Sequence, residues 1–436
     1  MRRARVAGVK DVPQADRIAE LAAELEEELV AIRRQIHANP ELGWMEQETT
    51  TLLFDRLTAA GLSPRRTTGS GLVCDIGPDP RERGRRRIAL RGDIDALPVP
   101  ETTGLPFRSQ RQGVSHACGH DVHASAVLGA GLILARLQEE GQLPVGVRLI
   151  LQPAEEVQPS GARELLDQGV LDGVEQIYAL HCAPKIACGK IGSRIGPITA
   201  ASDNVTVTVR SAGGHTSRPH LTGDVVYALG HIITQLPAVL DRRLDPRSGA
   251  NLTWGAVNAG RAPNTIPSVG SVTGTLRSLD VETWERAGTL VDDVVADLLS
   301  PLGVEVELKH QRGMPPVVND EQCVRLLDGA TREVVADDAV VLTEQSLGGE
   351  DFAWYLSRVP GAMVRLGTRA PGGAAHDLHQ GDLVVDERAI SIGARVLART
   401  AQRAGYEPRV AAQPRPGSRG GAPVLSGRGP AAVRAR

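Results

Sequence analysis

Aromatic side chains are scarce in this chain, at 3% of 436 residues, and there are only five cysteines. So few aromatics leave little platform on which unpaired bases could stack. A formal net charge of −3 supplies no surplus of cations for a phosphate backbone or an anionic bilayer. Neither nucleic acid nor a membrane is therefore an expected partner. Five cysteines in a chain of this length do not make a disulfide framework, and the odd number leaves at least one thiol free. That usage points to a reducing compartment. No stretch approaches the ~18 consecutive apolar residues of a spanning helix. The basic start MRRARVAGVK has no apolar segment after it, so a secretory signal is not expected. The expected location is the cytoplasm.

What is present is ordinary for a globular protein, with 41% hydrophobic and 23% charged residues. A chain of 436 residues is too long for one core, so two domains are expected. Apolar residues Ile18, Leu21, Leu25, Leu29 and Ile32 recur at helical spacing and predict a helix over 16–36, stopped by Asn39-Pro40. A second helix is predicted over 46–60, then strands at 72–76, 88–90 and 147–151, with a helix over 122–138 between the last two. The basic run Arg81 to Arg87 reads as a solvated loop. This alternation predicts an α/β sheet with helices on both faces.

From residue 204 the pattern changes. NVTVTVRSA alternates as a half-buried strand does, and the elements that follow run helix, strand, strand, helix, strand to residue 309. That order is βαββαβ, the split arrangement of a ferredoxin-like domain. The α/β style resumes at 340–342, 351–357, 362–366 and 386–403. The expected organisation is a discontinuous α/β/α domain over 13–198 and 311–407, interrupted by an inserted domain over 199–310. Two domains in tandem are the competing arrangement. Residues 408–436, rich in Pro, Gly and Arg, are expected to be disordered.

The chemistry sits in short clusters. Cys118-Gly119-His120 places a thiol and an imidazole around a residue that lets the backbone turn, with His116 and His123 on either side. Cys118 precedes a predicted helix, where a thiolate is favoured. Glu155-Glu156 follows the apolar strand 147–151 and Pro153, and His181 follows the apolar run Ile177–Leu180. Both are expected at carboxyl ends of strands, where α/β sheets build their sites. One carboxylate of the pair can bind a metal while its neighbour takes a proton from water. Asp93 and Asp95 read either as loop residues or as carboxylates that orient a ligand imidazole. Cys74, Cys182, Cys188 and Cys323 read as core or bystander thiols.

Ten ordered blocks then make a resemblance. They are RQIHANPELG (34–43), RGDIDALP, HACGHDVH, QPAEE, ALHCAP, GGHTSRPH, NTIP, GTLRSLD, GGEDF and LHQGDLVVDE. Over about residues 29–400 the chain resembles the dinuclear-metal amidohydrolases of the hippurate hydrolase and indole-acetyl-amino-acid hydrolase type. The resemblance implies two divalent cations, Zn or Mn, held by Cys118, His120, Glu156, His181 and His379, with Cys118 as the bridge. It implies Glu155 as general base, Asp95 as the residue that orients a ligand, and His215 of the inserted domain as a donor to the oxyanion in a neighbouring subunit's site. Asn264 and Arg277 are implied as substrate-binding residues, and a homodimer through the inserted domain is implied as well. The expected substrate is an N-acyl or N-aroyl amino acid, with a dipeptidase or exopeptidase as the alternative on the same machinery. A hydrolase using Cys118 as nucleophile, insensitive to chelators, and a metal-free binding protein are the readings from other classes. Gln380-Gly381 and Leu383 depart from the Ser-Pro and aromatic found in many relatives after the last ligand histidine, and Asn204 stands where an aromatic is common. These departures bear on substrate identity.

Overall fold

The computed structural model describes residues 15–82 and 86–407, together with the backbone of Ala432–Val433. The chain divides into two compact units. The first holds the described residues up to Gly196, then Val318–Glu344 and residues 354–407; the second holds Pro197–Val317, Gln345–Ala353 and Ala432–Val433.

The first unit is built on an eight-stranded sheet. Its order is Arg65–Arg66, Leu72–Ile76, Gly146–Gln152, Arg87–Asp93, Val174–Ala187, Gly361–Arg369, Ile191–Ser193 and Val340–Leu342. The four central strands run parallel, and their burial is nearly continuous along Gly146–Gln152 and Arg87–Asp93, as strands covered on both faces require. After Arg87–Asp93 the chain crosses to one side, into Gly146–Gln152. It then returns to the other side as Val174–Ala187, so the winding reverses between these neighbours. Their ladder also ends early, at Arg91–Ala179, whereas each continues with its outer neighbour as far as Asp93–Gln152 and Arg369–Ala187. A crevice at the point where winding reverses is where such sheets take their ligands.

The helix His120–Glu139 packs against Arg388–Ala404 and Asp16–Ala38. A Cβ on Gly129 would meet Leu29 Cδ1 at 2.6 Å and Ala394 Cβ at 3.0 Å, so the close approach of three helices depends on glycine there. Leu29, Ile133 and Leu397 are fully buried in this core, each contributing about 1.5–3 kcal/mol by burial.

The second unit carries the order βαββαβ. Its strands Ala201–Arg210, Asn251–Ala259, Val269–Ser278 and Glu305–Met314 form an antiparallel sheet in which Ala201–Arg210 lies between Val269–Ser278 and Glu305–Met314. The helices Val225–Arg243 and Val281–Leu299 bury their apolar stripes with Val205, Val207 and Val272.

Several elements differ from their expected bounds. The strand Glu305–Met314 runs beyond residue 310 because its pairing with Ala201–Arg210 continues to Met314–Ser202. Within the basic run, Arg86 is buried and donates to the Glu407 carbonyl at 2.7 Å, and Arg87 opens a strand; residues 83–85 lie outside the described residues. The tail from 408 also lies outside them, apart from Ala432–Val433, which pair with Val306 and Glu307.

One buried ion network fixes the start of the central helix. Arg33 Nε donates to Asp121 Oδ2 at 2.6 Å, and His37 Nδ1 lies 2.9 Å from the same oxygen. Burial opposes the charge on Asp121, but the adjacent Arg33 guanidinium and His37 hold its carboxyl far below the usual range. Removing one partner of such a pair strands the other in a place water does not reach. Arg33→Ala is expected to lower the unfolding free energy by about 3 kcal/mol, as read by urea titration; a change below about 1 kcal/mol would show the network to be dispensable.

Candidate metal centre

The residues of the first crevice arrive from five separate segments. Gly119, at φ +83°, turns the chain into the helix, which begins at His120 itself rather than at 122. A Cβ at this position would meet Cys182 Sγ at 2.8 Å, so glycine is required twice over, by conformation and by space. Cys118 and His120 are thereby set side by side at the helix entrance. His181 was expected to end its strand, but the strand runs on to Ala187. Its ring is available because the ladder toward Arg87–Asp93 has already stopped. His379 takes φ +62°, and its N–H donates to the Ala117 carbonyl at 2.8 Å, which ties the last segment to the first.

Each imidazole is held in a defined orientation. His181 Nδ1 donates to the Cys182 carbonyl at 2.9 Å, which leaves Nε2 bearing a lone pair 3.6 Å from Cys118 Sγ. Burial, with Arg365 adding to it, holds His181 well below the ordinary histidine range, so the ring is neutral. His120 Nδ1 lies 3.1 Å from Asp95 Oδ1, while Asp95 Oδ2 accepts from the Glu156 N–H at 3.0 Å. One carboxylate thus sets both an imidazole and the peptide of the acidic loop. His123 is not free for a ligand role. Its Nδ1 is paired with Asp93 Oδ1 at 2.5 Å, and its Nε2 accepts from the Cys182 N–H at 2.7 Å. Asp93 in turn accepts from Arg91 at 2.5 Å.

The donor atoms then converge from their separate segments. Donor atoms of Cys118, His120 and His181 lie within 4.8 Å of one another, and so do those of Cys118, Glu156 and His379 and those of His120, Glu155 and Glu156. The first two sets have Cys118 in common. His120 Nε2 is 3.8 Å from Glu156 Oε1 and, among the described residues, has no hydrogen-bond partner. His379 Nε2 pairs with that oxygen at 3.0 Å, and Glu156 holds His379 above the ordinary histidine range. Thiol, imidazole and carboxylate groups gathered so closely out of water are costly unless a cation satisfies them, so this donor set fits divalent metal. Burial also pushes the Cys118 thiol far up, against the expectation that the helix entrance would favour a thiolate. The helix end is outweighed by burial, and ionisation there calls for a cation.

The remaining expected residues belong to the second unit. His215 is exposed in the short strand Gly214–His215, which pairs with Thr265–Ile266 beside Asn264. Its Nδ1 accepts from the Ser217 N–H at 3.1 Å, leaving Nε2 to carry the proton. Arg277 lies on Val269–Ser278 and donates to the Leu347 carbonyl. Sequence reading missed Glu46. It is fully buried, and its Oε1 accepts from the Ala154 N–H at 2.8 Å. The signal was its place in PELGWMEQET, just past the block that ends at Gly43.

Asp95→Asn keeps an oxygen for one of its two partners and cannot serve both as an anion. Its cation affinity is expected to fall about 10–100-fold, measured by metal-competition titration; unchanged affinity would remove Asp95 from any part in holding the site.

The comparisons agree with this geometry. Residues 89–403 match the model of peptidase family M20/M25/M40. The chain is 36% identical over 380 residues to the N-acetyl-L-cysteine deacetylase of Bacillus subtilis, covering 87% of this chain and 88% of that protein. It is 50% identical over 373 residues to a Rhodococcus jostii protein named "Putative glutamate--cysteine ligase 2-3", covering 85% of this chain but 46% of that one, so it spans about half that relative's length. Among solved structures it is similar to the YXEP protein of Bacillus subtilis, titled a dinuclear metal binding peptidase from the M20 family. That match has a TM-score of 0.76 and 30% identity, with 87% of this chain and 98% of that chain covered. The chain belongs to the M20/M25/M40 peptidase family and is a metal-dependent hydrolase acting on amide bonds.

Proposed function

We propose that this hydrolase removes the acyl group from N-acyl or N-aroyl amino acids, with N-acylcysteines as the first class to test. The observation that carries the hydrolytic reading is the convergence of thiol, imidazole and carboxylate donors from Cys118, His120, Glu156, His181 and His379. These five residues would hold two divalent cations, Zn or Mn, with Cys118 common to both positions. Bound cations of this kind bring the pKa of water toward ~7 and polarise a carbonyl oxygen.

The chain's own residues do the rest. Glu155 is buried at 7% exposure and stands next to the ligand Glu156. As general base it takes the proton of the attacking water and returns it to the leaving nitrogen, so that the amide C–N bond breaks to a carboxylate and a free amine. Asp95 keeps the His120 ring and the Glu156 peptide in place throughout. In a homodimer His215 would reach the neighbouring subunit's site and serve as donor to the developing oxyanion through Nε2–H, and this role is supported by the acceptor state of its Nδ1. Asn264 and Arg277 bind the substrate's backbone and carboxylate, a planar guanidinium being suited to the latter.

Cysteine enters through two relatives. One is named a deacetylase of N-acetyl-L-cysteine, and the other carries in its name a ligase that joins glutamate to cysteine. A hydrolase that frees cysteine from its N-acyl form would supply such a ligase. Homodimerisation through the second unit is part of the same proposal. Its sheet ends on the strand Asn251–Ala259, and Tyr227 and Val257 are exposed at 61% and 57%.

With metal-reconstituted protein, N-acetyl-L-cysteine is expected to give a kcat/KM at least about tenfold above that of a free-amino dipeptide. The opposite order would make the protein an exopeptidase. Chelation should abolish turnover, and Zn²⁺ or Mn²⁺ should restore it. Glu155→Gln should lower kcat by about 10²–10⁴-fold with cation content unchanged by elemental analysis; near-normal turnover would overturn its role as base.

A further inference from the structure

The loop that carries Glu155 leaves the strand Gly146–Gln152 through Pro153 and reaches Ala154 at φ +53°. A residue with a Cβ seldom adopts that left-handed conformation, and it persists only where the surroundings over-determine it. Here they do. The Ala154 carbonyl accepts from the Gly161 N–H at 2.9 Å, and its N–H donates to Glu46 Oε1 at 2.8 Å. The other Glu46 oxygen accepts from Ser70 Oγ at 2.5 Å. On the far side of Glu155, the Glu156 N–H is held by Asp95 at 3.0 Å. The peptide N–H groups before and after the base are therefore each gripped by a buried carboxylate.

The two carboxylates are not equivalent. Asp95 also touches the ring of His120, whereas the hydrogen bonds of Glu46 go to Ser70 and the Ala154 peptide. Glu46 is 0% exposed and Ser70 2%. Burial, reinforced by the negative charge of Asp95, pushes the Glu46 carboxyl up to about 7. A carboxylate kept in such a place beside neutral donors is expensive for packing alone. Its neighbour Trp44, also at positive φ (68°), donates to the Pro159 carbonyl at 2.9 Å, so the segment Trp44–Glu46 grips the loop at both ends.

We propose that Glu46 is a positioning residue for the general base, fixing the Ala154 peptide and through it the aim of Glu155. This rests on the reading of Glu155 as base.

The test joins hydrogen exchange, kinetics and metal content on the full chain, using Glu46→Ala, Glu46→Gln and Ser70→Ala. In E46A the amides of Ala154 and Glu155 should exchange at least ~10-fold faster. Its kcat on N-acetyl-L-cysteine, or on the best of a panel of N-acetyl amino acids, should fall about 10–100-fold. Its KM should stay within about twofold and its cation content should be unchanged. Glutamine can still accept from the Ala154 N–H and donate to Ser70 Oγ, so E46Q should restore both protection and kcat to within about fivefold. Unchanged exchange in E46A, loss of cations along with activity, or failure of E46Q to rescue would each overturn the proposal. If E46A does not fold, S70A must show faster exchange at Ala154 in the same direction, and no change there would equally overturn it. The exchange measurement does not depend on turnover, whereas a fully active E155Q would sink the base assignment without touching it.

Discussion

Asp95 is the constraint on which the centre depends. Its two oxygens reach segments far apart in the chain, one to the His120 ring and the other to the peptide of Glu156. A donor set spread over several segments is a loose assembly unless something measures the distance between them. Here a short, fully buried carboxylate does so, standing just past the strand Arg87–Asp93 at the sheet's opened seam. The histidine and the acidic loop are held to the same atom group, so the lone pairs of both face one space rather than two.

Around this point the protein places charge where it is costly and then compensates it. Arg91 with Asp93 and His123, Arg33 with Asp121 and His37, and Glu46 with Ser70 are all buried. Each fixes a backbone segment that bears a donor: the residue after His181, the helix that starts at His120, and the loop before Glu155. Rigid scaffolding of this kind holds the donors in one arrangement, which is the condition for binding a cation.

Much of this was legible in the sequence because metal chemistry is written locally. Cys118 with His120, and Glu155 with Glu156, are neighbours, and the turn between the first two is announced by glycine. The α/β sheet and the βαββαβ order followed from hydrophobic periodicity, which reports burial directly. What stayed hidden is carried by single residues with distant partners. Glu46 lies 108 positions from Ala154, and Arg33 lies 88 from Asp121; both look like surface charges on a helix or its entrance. The length of Val174–Ala187 was hidden as well, since its apolar run stops at Leu180. That strand continues because beyond Ala179 it pairs on the Gly361–Arg369 side.

That same strand has a consequence for how the chain is made. Its permanent neighbour Gly361–Arg369 emerges from the ribosome only after the whole βαββαβ unit has been synthesised. Until then Val174–Ala187 offers an open, apolar edge, the kind of surface on which nascent chains mispair. The intervening unit, whose four long strands pair with one another, is free to fold first. The first unit must wait for its own last segments, so the metal donors, with His379 the last to arrive, come together only after the βαββαβ unit has been made.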